Sequence, residues 1–201
     1  MNEATLRSRA LRLSYFTVGY NVLEGVVSVV AGMLAGSVAL VGFGLDSFVE
    51  SLSGGIMIWR FGGSGTRGRE DRERRAIRLV GYTFLVLGAY VLYESAGKLL
   101  RGERPEPTPV GVAITGVSLI VMPVLYVAKR RTAERIGSRS LAADAKQTLA
   151  CMGMSASVLM GLLLNGLFGW WQADPVIGVG IALLLFREGR ETIREGKLDC
   201  C

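Results

Sequence analysis

Hydrophobic residues in this chain fall into six long runs, which short polar segments separate. A bilayer core is about 30 Å thick and an α-helix rises about 1.5 Å per residue, so about 20 largely apolar residues span it. The runs predict spans at about 13–36, 38–59, 77–100, 110–128, 140–168 and 172–193. We therefore expect an all-α membrane protein with six transmembrane helices, one domain over residues 1–201 and no soluble C-terminal domain.

Composition and charge agree with this pattern. Half of the 201 residues are hydrophobic, and the first apolar run is too long for a secretory signal peptide. With both termini in the cytoplasm, the cytoplasmic segments hold 19 Lys and Arg residues and the outer loops hold three, while Lys146 lies in the fifth span. Because Lys and Arg concentrate on the cytoplasmic side, the bias predicts cytoplasmic termini in an inner or plasma membrane. It also accounts for the net charge of +6 without a nucleic-acid partner.

The segments between and after the spans contain fewer signals. Residues 61–76 combine Gly and Ser with dense charge, which is typical of a solvated connector. Asp174, before Pro175, is expected to cap the sixth helix. Cys200 and Cys201 end the chain on the reducing side, where they could bind a soft metal, carry a lipid or be an untethered tail.

A short motif occurs twice in the chain. Gly-Ser-x-x-Leu occupies residues 36–40 and again residues 137–141, and polar residues follow ten and fourteen positions after each Gly. The second span runs inward and the fifth outward, so both polar pairs lie roughly 16 Å deep. They can therefore meet near the middle of the bilayer, where transporters with halves of opposite topology bind their ions.

The first of these pairs is Asp46 and Glu50, which lie on one face of the second span. Each intramembrane acid costs about 2.5 kcal/mol or more on insertion scales. Two carboxylates this close should not both ionise unless a cation lies between them. Such a pair binds either a cation or a proton, as expected of a site that exchanges a metal ion for protons. Salt bridges are the alternative, but Lys146 is the one base we assign to the spans, and it cannot neutralise all of their acids.

The second pair is Gln147 and Cys151, which could add an amide oxygen and a thiolate to the same ion. The alternative is that Gln147 bonds a neighbouring helix and Cys151 packs as a small residue. In the first span, Asn21 and Glu24 are candidates for an ion or proton path, or for interhelical hydrogen bonds. No nucleophile with a positioned base can be read from the spans, so an enzyme is not expected.

The chain resembles the cation diffusion facilitator family of metal transporters. The stretches that carry the resemblance are NVLEGVVSVVAGMLAGSVAL, LDSFVES, SLAADAKQTLACMGMSAS and ADPVIGVGIALL. In that family two residues of the second span and two of the fifth bind one divalent metal, usually zinc. The ion is exchanged for protons by alternating access in a homodimer. By position, the resemblance implies Asp46, Glu50, Gln147 and Cys151 as the metal ligands.

The chain departs from the family pattern in two ways. It has no histidine, and we expect the family's usual cytoplasmic metal-binding domain to be absent, since about a dozen residues follow the sixth predicted span. The resemblance implies proton-coupled efflux of a divalent cation, with zinc first and cadmium, manganese or iron as alternatives, and no prosthetic group. Two other functions stay open: a sodium or proton transporter, and a non-transporting scaffold or metal sensor that binds partners through residues 61–76.

Overall fold

A computed structural model describes residues 3–62, 69–106 and 108–195 of the chain. Over those ranges the structure consists of helices and contains no strand. The six helices are α1 (Glu3–Ala35), α2 (Val38–Gly62), α3 (Arg69–Arg101), α4 (Pro109–Ile136), α5 (Arg139–Phe168) and α6 (Ala173–Glu195). The predicted all-α fold with six helices is confirmed. Cys200 and Cys201 lie outside the described residues.

The surface of the bundle is apolar and much of its interior is polar, the reverse of a soluble protein. Leu34 is 81% exposed and Leu100 is 88% exposed, whereas Glu24 and Glu50 are at most 1% exposed. Among the described residues, three helical segments are long and apolar enough to cross a membrane: Thr5–Ala35, Pro109–Ile136 and Gln147–Phe168. The remaining helices, α2, α3 and α6, have 25, 33 and 23 residues. The chain is thus a helical membrane bundle.

The helices associate as two hairpins and one pair. Helix α1 packs along α2, and α4 packs along α5, while contacts of α1 with α4 and of α2 with α5 join these hairpins into a four-helix unit. Helices α3 and α6 form the remaining pair, which contacts the unit mainly through α2 and α5. Helix α2, which carries both acids, therefore touches the other hairpin and the α3–α6 pair.

The repeated Gly-Ser-x-x-Leu motif forms the turn of each hairpin. In the α1–α2 turn, Gly36 has a φ of +64°, a left-handed conformation that glycine adopts without strain. The Ser37 Oγ then accepts a hydrogen bond from the Leu40 N–H at 3.1 Å, which caps the N-terminus of α2. The αL glycine thus ends one helix, and the serine begins the next.

The α4–α5 turn repeats this geometry. Gly137 has a φ of +69°, and the Ser138 Oγ accepts a hydrogen bond from the Leu141 N–H at 3.4 Å. Leu141 is fully buried, as is its counterpart Leu40. The short sequence repeat is therefore a structural repeat, which starts α2 and α5 in the same way.

The charged segment between α2 and α3 is shorter than the predicted connector at 61–76. Helix α2 continues to Gly62 and α3 begins at Arg69, so residues 69–76 are helical. This part of the prediction was wrong because Arg and Glu are good helix formers, and charge density alone does not prevent a helix. Residues 63–68 lie outside the described residues.

Asp174 has a different partner from the one expected. It lies in the first turn of α6, but its carboxylate accepts hydrogen bonds from the Ser37 hydroxyl and, at 3.1 Å, from the Val38 N–H. Asp174 therefore caps α2 rather than its own helix. Lys98 of α3 donates a hydrogen bond to the Gly36 carbonyl at the same end of the bundle. These contacts attach the α3–α6 pair to the α1–α2 turn.

Candidate functional site

Asp46 and Glu50 lie one turn apart on α2, and both are buried. Asp46 is 5% exposed and lines a cavity of about 330 Å³ between α2, α3, α5 and α6. Gln147 of α5 lines the same cavity. The other lining residues are Phe84, Gly153, Met154, Ser157, Leu184, Leu185 and Glu188. The first members of the two predicted pairs thus share one cavity.

Glu50 points away from that cavity into the four-helix unit, where one of its oxygens is engaged. Its Oε1 accepts a hydrogen bond from the Thr148 hydroxyl at 2.6 Å and lies 3.5 Å from the Lys129 Nζ. Its Oε2 is buried and has no hydrogen-bond partner. Because a buried charged oxygen without a partner is costly, Oε2 is the atom of Glu50 that is available to a cation.

Cys151 is fully buried, and its thiol lies beside Glu50, with the Asp46 and Glu24 carboxylates also nearby. The structure therefore brings Asp46 together with Gln147, and Glu50 together with Cys151. Across the described residues, no three or more Cys, Asp or Glu side chains converge in a geometry that would hold a metal ion. The four predicted side chains adjoin one another without surrounding a single point.

Lys129 is the residue of the site that sequence reasoning missed. The charge pattern places it among the 19 cytoplasmic basic residues, but it is fully buried on α4. Its Nζ lies 2.9 Å from the Asp144 Oδ2 and donates a hydrogen bond to the Thr148 hydroxyl at 2.9 Å. The expectation that Lys146 is the one intramembrane base was therefore wrong. Helical periodicity could have indicated its burial, since Lys129 continues the spacing of Met122 and Leu125 on the buried face of α4.

Glu24 of α1 lies on the other side of the same interior. Its Oε1 accepts a hydrogen bond from the Tyr20 hydroxyl at 2.9 Å, and its Oε2 accepts one from the Ser47 hydroxyl at 2.9 Å. Asn21 is fully buried, and neither polar atom of its side chain has a hydrogen-bond partner. Glu24 is thus held by hydroxyl groups, and Asn21 has an unfilled hydrogen-bonding capacity.

Hydroxyl groups are concentrated along the interior of the four-helix unit. Ser118 of α4 and Ser155 of α5 bond each other at 2.8 Å across the unit. The sequence pattern did not single out these residues, although the buried polar residues of each helix lie at helical spacing and so share one face. In the four helices of this unit, the buried polar side chains are Ser14, Thr17, Asn21, Glu24 and Ser28 on α1, Asp46, Ser47, Glu50 and Ser51 on α2, Thr115, Ser118, Lys129 and Thr132 on α4, and Asp144, Thr148, Ser155 and Asn165 on α5.

The two hairpins also correspond in their polar contacts. Ser47 and Thr148 occupy the same position after their hairpin glycines, and each hydroxyl bonds a charged side chain of the preceding helix, Glu24 or Lys129. The repeat therefore extends from the turns into the interior. One hairpin supplies an acid at this level and the other a base.

The donors in this interior define its chemistry. Carboxylate and amide oxygens bind hard divalent ions, while a thiolate favours zinc or cadmium. Asp46 and Glu50 lie on α2, and Gln147 and Cys151 lie on α5, which packs against it.

Comparisons with known proteins agree with this architecture. The family described as "Cation efflux transmembrane domain" matches residues 15–199. Transmembrane protein 163 of Xenopus laevis is 22% identical over 91% of this chain and 66% of its own length. The magnetosome protein MamB of Paramagnetospirillum magneticum is 25% identical over 82% of this chain and 57% of its own.

A second MamB, from Magnetospirillum gryphiswaldense, is 23% identical over 82% of this chain. The chain therefore spans between 57% and 66% of the length of these relatives. The family match covers most of α1, all of α2 to α6, the hairpin repeat and the buried acids. The chain belongs to the cation efflux family.

Proposed function

We propose that this protein transports a divalent metal cation across the membrane, in exchange for protons. Asp46 and Glu50 bind the ion, and Gln147 and Cys151 complete the site and set its preference. The observation that carries the proposal is the burial of two acids one turn apart on α2, one of which keeps a carboxylate oxygen without a partner. Family membership supports transport as the activity.

Proton exchange follows from the electrostatics of the pair. Without a cation, two neighbouring carboxylates in a low-dielectric interior are most stable when one of them holds a proton. A bound divalent ion displaces that proton, so ion and proton occupy the site in turn. Glu24 and Asn21, with the hydroxyls around them, form the proposed proton path between the site and one face of the membrane.

Zinc is the first candidate for the ion, because Cys151 adds a soft donor to oxygen ligands. Cadmium shares that preference, whereas manganese or iron would use the oxygens of Asp46, Glu50 and Gln147. A site without histidine leaves a second candidate function, transport of sodium or protons alone. The buried carboxylates serve that function equally well, so transport measurements must separate the two.

We further propose that both termini lie in the cytoplasm of an inner or plasma membrane and that the ion moves outward. The asymmetry of basic residues supports this orientation, since the burial of Lys129 leaves 18 cytoplasmic and three outer ones. A homodimer, as the family resemblance implies, would associate through exposed apolar helix faces such as that of Leu34 and Leu100.

The test is ion transport by the purified protein in proteoliposomes that contain a pH-sensitive dye. We expect zinc or another divalent ion, at equal activity, to dissipate a preset pH gradient. Asp46→Asn should abolish this flux because it removes a charged ligand while preserving shape. Glu134→Gln is the matched control, since Glu134 is an exposed acid of α4 that bonds Arg130.

Three results would contradict the proposal in different ways. Unchanged divalent flux in Asp46→Asn would exclude the proposed site. Dissipation by sodium but by no divalent ion would favour the sodium transporter. Metal binding without flux in the parent protein would favour a scaffold or sensor.

A further inference from the structure

Lys129 presents a positive charge to the proposed ion site from within the protein. Its side chain is fully buried, and its Nζ lies 3.5 Å from the Glu50 Oε1 and 2.9 Å from the Asp144 Oδ2. Thr148 links Lys129 to Glu50, because its hydroxyl accepts a hydrogen bond from Lys129 at 2.9 Å and donates one to Glu50 at 2.6 Å. The ammonium group is thus shared between a proposed ligand and an acid that is not a proposed ligand.

Asp144 holds this arrangement in place. It is 2% exposed, its Oδ2 makes the shorter of the two ion pairs, and its Oδ1 accepts a hydrogen bond from the Ser53 hydroxyl at 3.1 Å. Ser53 lies on α2, three residues beyond Glu50, so the contact connects α5 back to the helix that carries the acids. Asp144 therefore restrains Lys129 at the edge of the site.

We propose that Lys129 is an internal cation, held by Asp144, that sets the affinity of the Asp46–Glu50 site for its transported ion. The inference rests on the proposed function and deepens it. Lys129 occupies Oε1 of Glu50 and leaves Oε2 for the ion, so Glu50 binds through one oxygen. Lys129 is a positioning residue, because it acts on the ion through Glu50 and through its own charge.

An internal cation reduces the negative charge that holds the transported ion. With all groups ionised, Asp46, Glu50 and Asp144 against Lys129 leave two negative charges, and Glu24 and Glu188 add to the negative potential at Asp46. Without Lys129 the cluster would be more negative and would retain its ion too strongly. A transporter must bind its ion loosely enough to release it, and a nearby ammonium group reduces the affinity.

The alternative is that Lys129 merely joins α4 to α5 through Asp144. A structural ion pair and an affinity-setting charge predict different signs for two substitutions. If the pair is structural, Lys129→Met and Asp144→Asn both lower stability and neither changes the dissociation constant of the folded protein. If Lys129 sets the affinity, the two substitutions move that constant in opposite directions.

The experiment measures zinc and manganese binding to the purified full chain in lipid nanodiscs, with folding monitored by size-exclusion chromatography. We expect Lys129→Met to tighten binding about tenfold or more, because a repelling charge near the ion acts strongly in a low dielectric. Asp144→Asn should weaken binding by about the same factor, since Lys129 then compensates Glu50 alone. Lys129→Arg keeps the charge and should remain close to the parent.

The double variant Lys129→Met with Asp144→Asn restores the net charge and should return the dissociation constant toward the parent value. Shifts in the same direction, or no shift, would overturn the inference while the parent still binds and transports the ion. If Lys129→Met does not fold, a tighter or unchanged dissociation constant in Asp144→Asn overturns it alone. A parent that neither binds nor transports a divalent ion would refute the proposed function and this inference together.

Discussion

Cys151 brings a soft sulfur donor into an interior that otherwise offers oxygen ligands. It is fully buried beside Glu50, so its thiol cannot be reached from the surface of this conformation. A buried cysteine is inert as a packing residue, but a divalent ion stabilises its thiolate. If Cys151 is a ligand, its thiolate should make the site prefer soft ions such as zinc and cadmium.

Replacing Cys151 by Ser should change that preference. We expect zinc and cadmium flux in proteoliposomes to fall about tenfold relative to manganese flux, because a hydroxyl is a harder and weaker donor than a thiolate. Met154→Leu is the control, since Met154 lies one turn along α5 and lines the cavity without proposed ligand chemistry. Equal loss for all three ions would indicate that Cys151 only packs.

The α1–α2 hairpin owes its close packing to glycine. At Gly44, an added Cβ would lie 2.8 Å from the Val29 nitrogen and 2.9 Å from the Gly25 carbonyl oxygen. Both of these are backbone atoms, which a side-chain rotation cannot move away. At Gly55, further along α2, a Cβ would meet no atom within 4 Å. Gly44 is therefore required for close helix packing and Gly55 is not, a difference that the sequence pattern does not reveal.

This contrast predicts opposite effects for two matched substitutions. Gly44→Ala should lower the free energy of unfolding by about 1–3 kcal/mol, because it overpacks the α1–α2 contact. Gly55→Ala should leave it unchanged or raise it by up to about 1 kcal/mol, since Ala favours helix over Gly. Thermal unfolding in detergent measures both. Equal midpoints for the two variants would contradict the close approach of α1 and α2.

The cavity that holds Asp46 and Gln147 lies where the four-helix unit meets the α3–α6 pair. Asp174 and Lys98 attach that pair to the α1–α2 turn at one end of the bundle. In the proposed transport cycle, we expect the pair to move about this attachment and to uncover Asp46. Such a rigid movement of helix groups is the usual basis of alternating access.

Labelling with a water-soluble maleimide can test whether the cavity is wet. In a variant with Cys200 and Cys201 changed to Ser, Ser157→Cys in the cavity lining should react quickly, and a bound divalent ion should slow it. Met160→Cys is the control, because Met160 is 60% exposed on the outside of α5, where lipid would shield a thiol. Equal rates for the two variants would mean that the cavity excludes water.

Local patterns determined a large part of this protein. Hydropathy predicts the six helices, since a span needs a long apolar run whatever its neighbours are. Helical periodicity places Asp46 and Glu50 on one face, and the repeated Gly-Ser motif predicts two matching turns, because each depends on residues close in sequence. Which of the four predicted ligands bind one ion stays a prediction.

Contacts between distant residues depend on how the helices pack, and no local pattern contains them. In the sequence, Lys129 cannot be told apart from the basic residues that follow it. In the folded protein, α2 and α5 enclose it near Glu50, 79 positions away in sequence. Asp174 has the signature of a helix cap, but the packing of α6 directs it to Ser37, 137 positions away. A buried charge is stable only beside its partner, so the tertiary arrangement alone decided these roles.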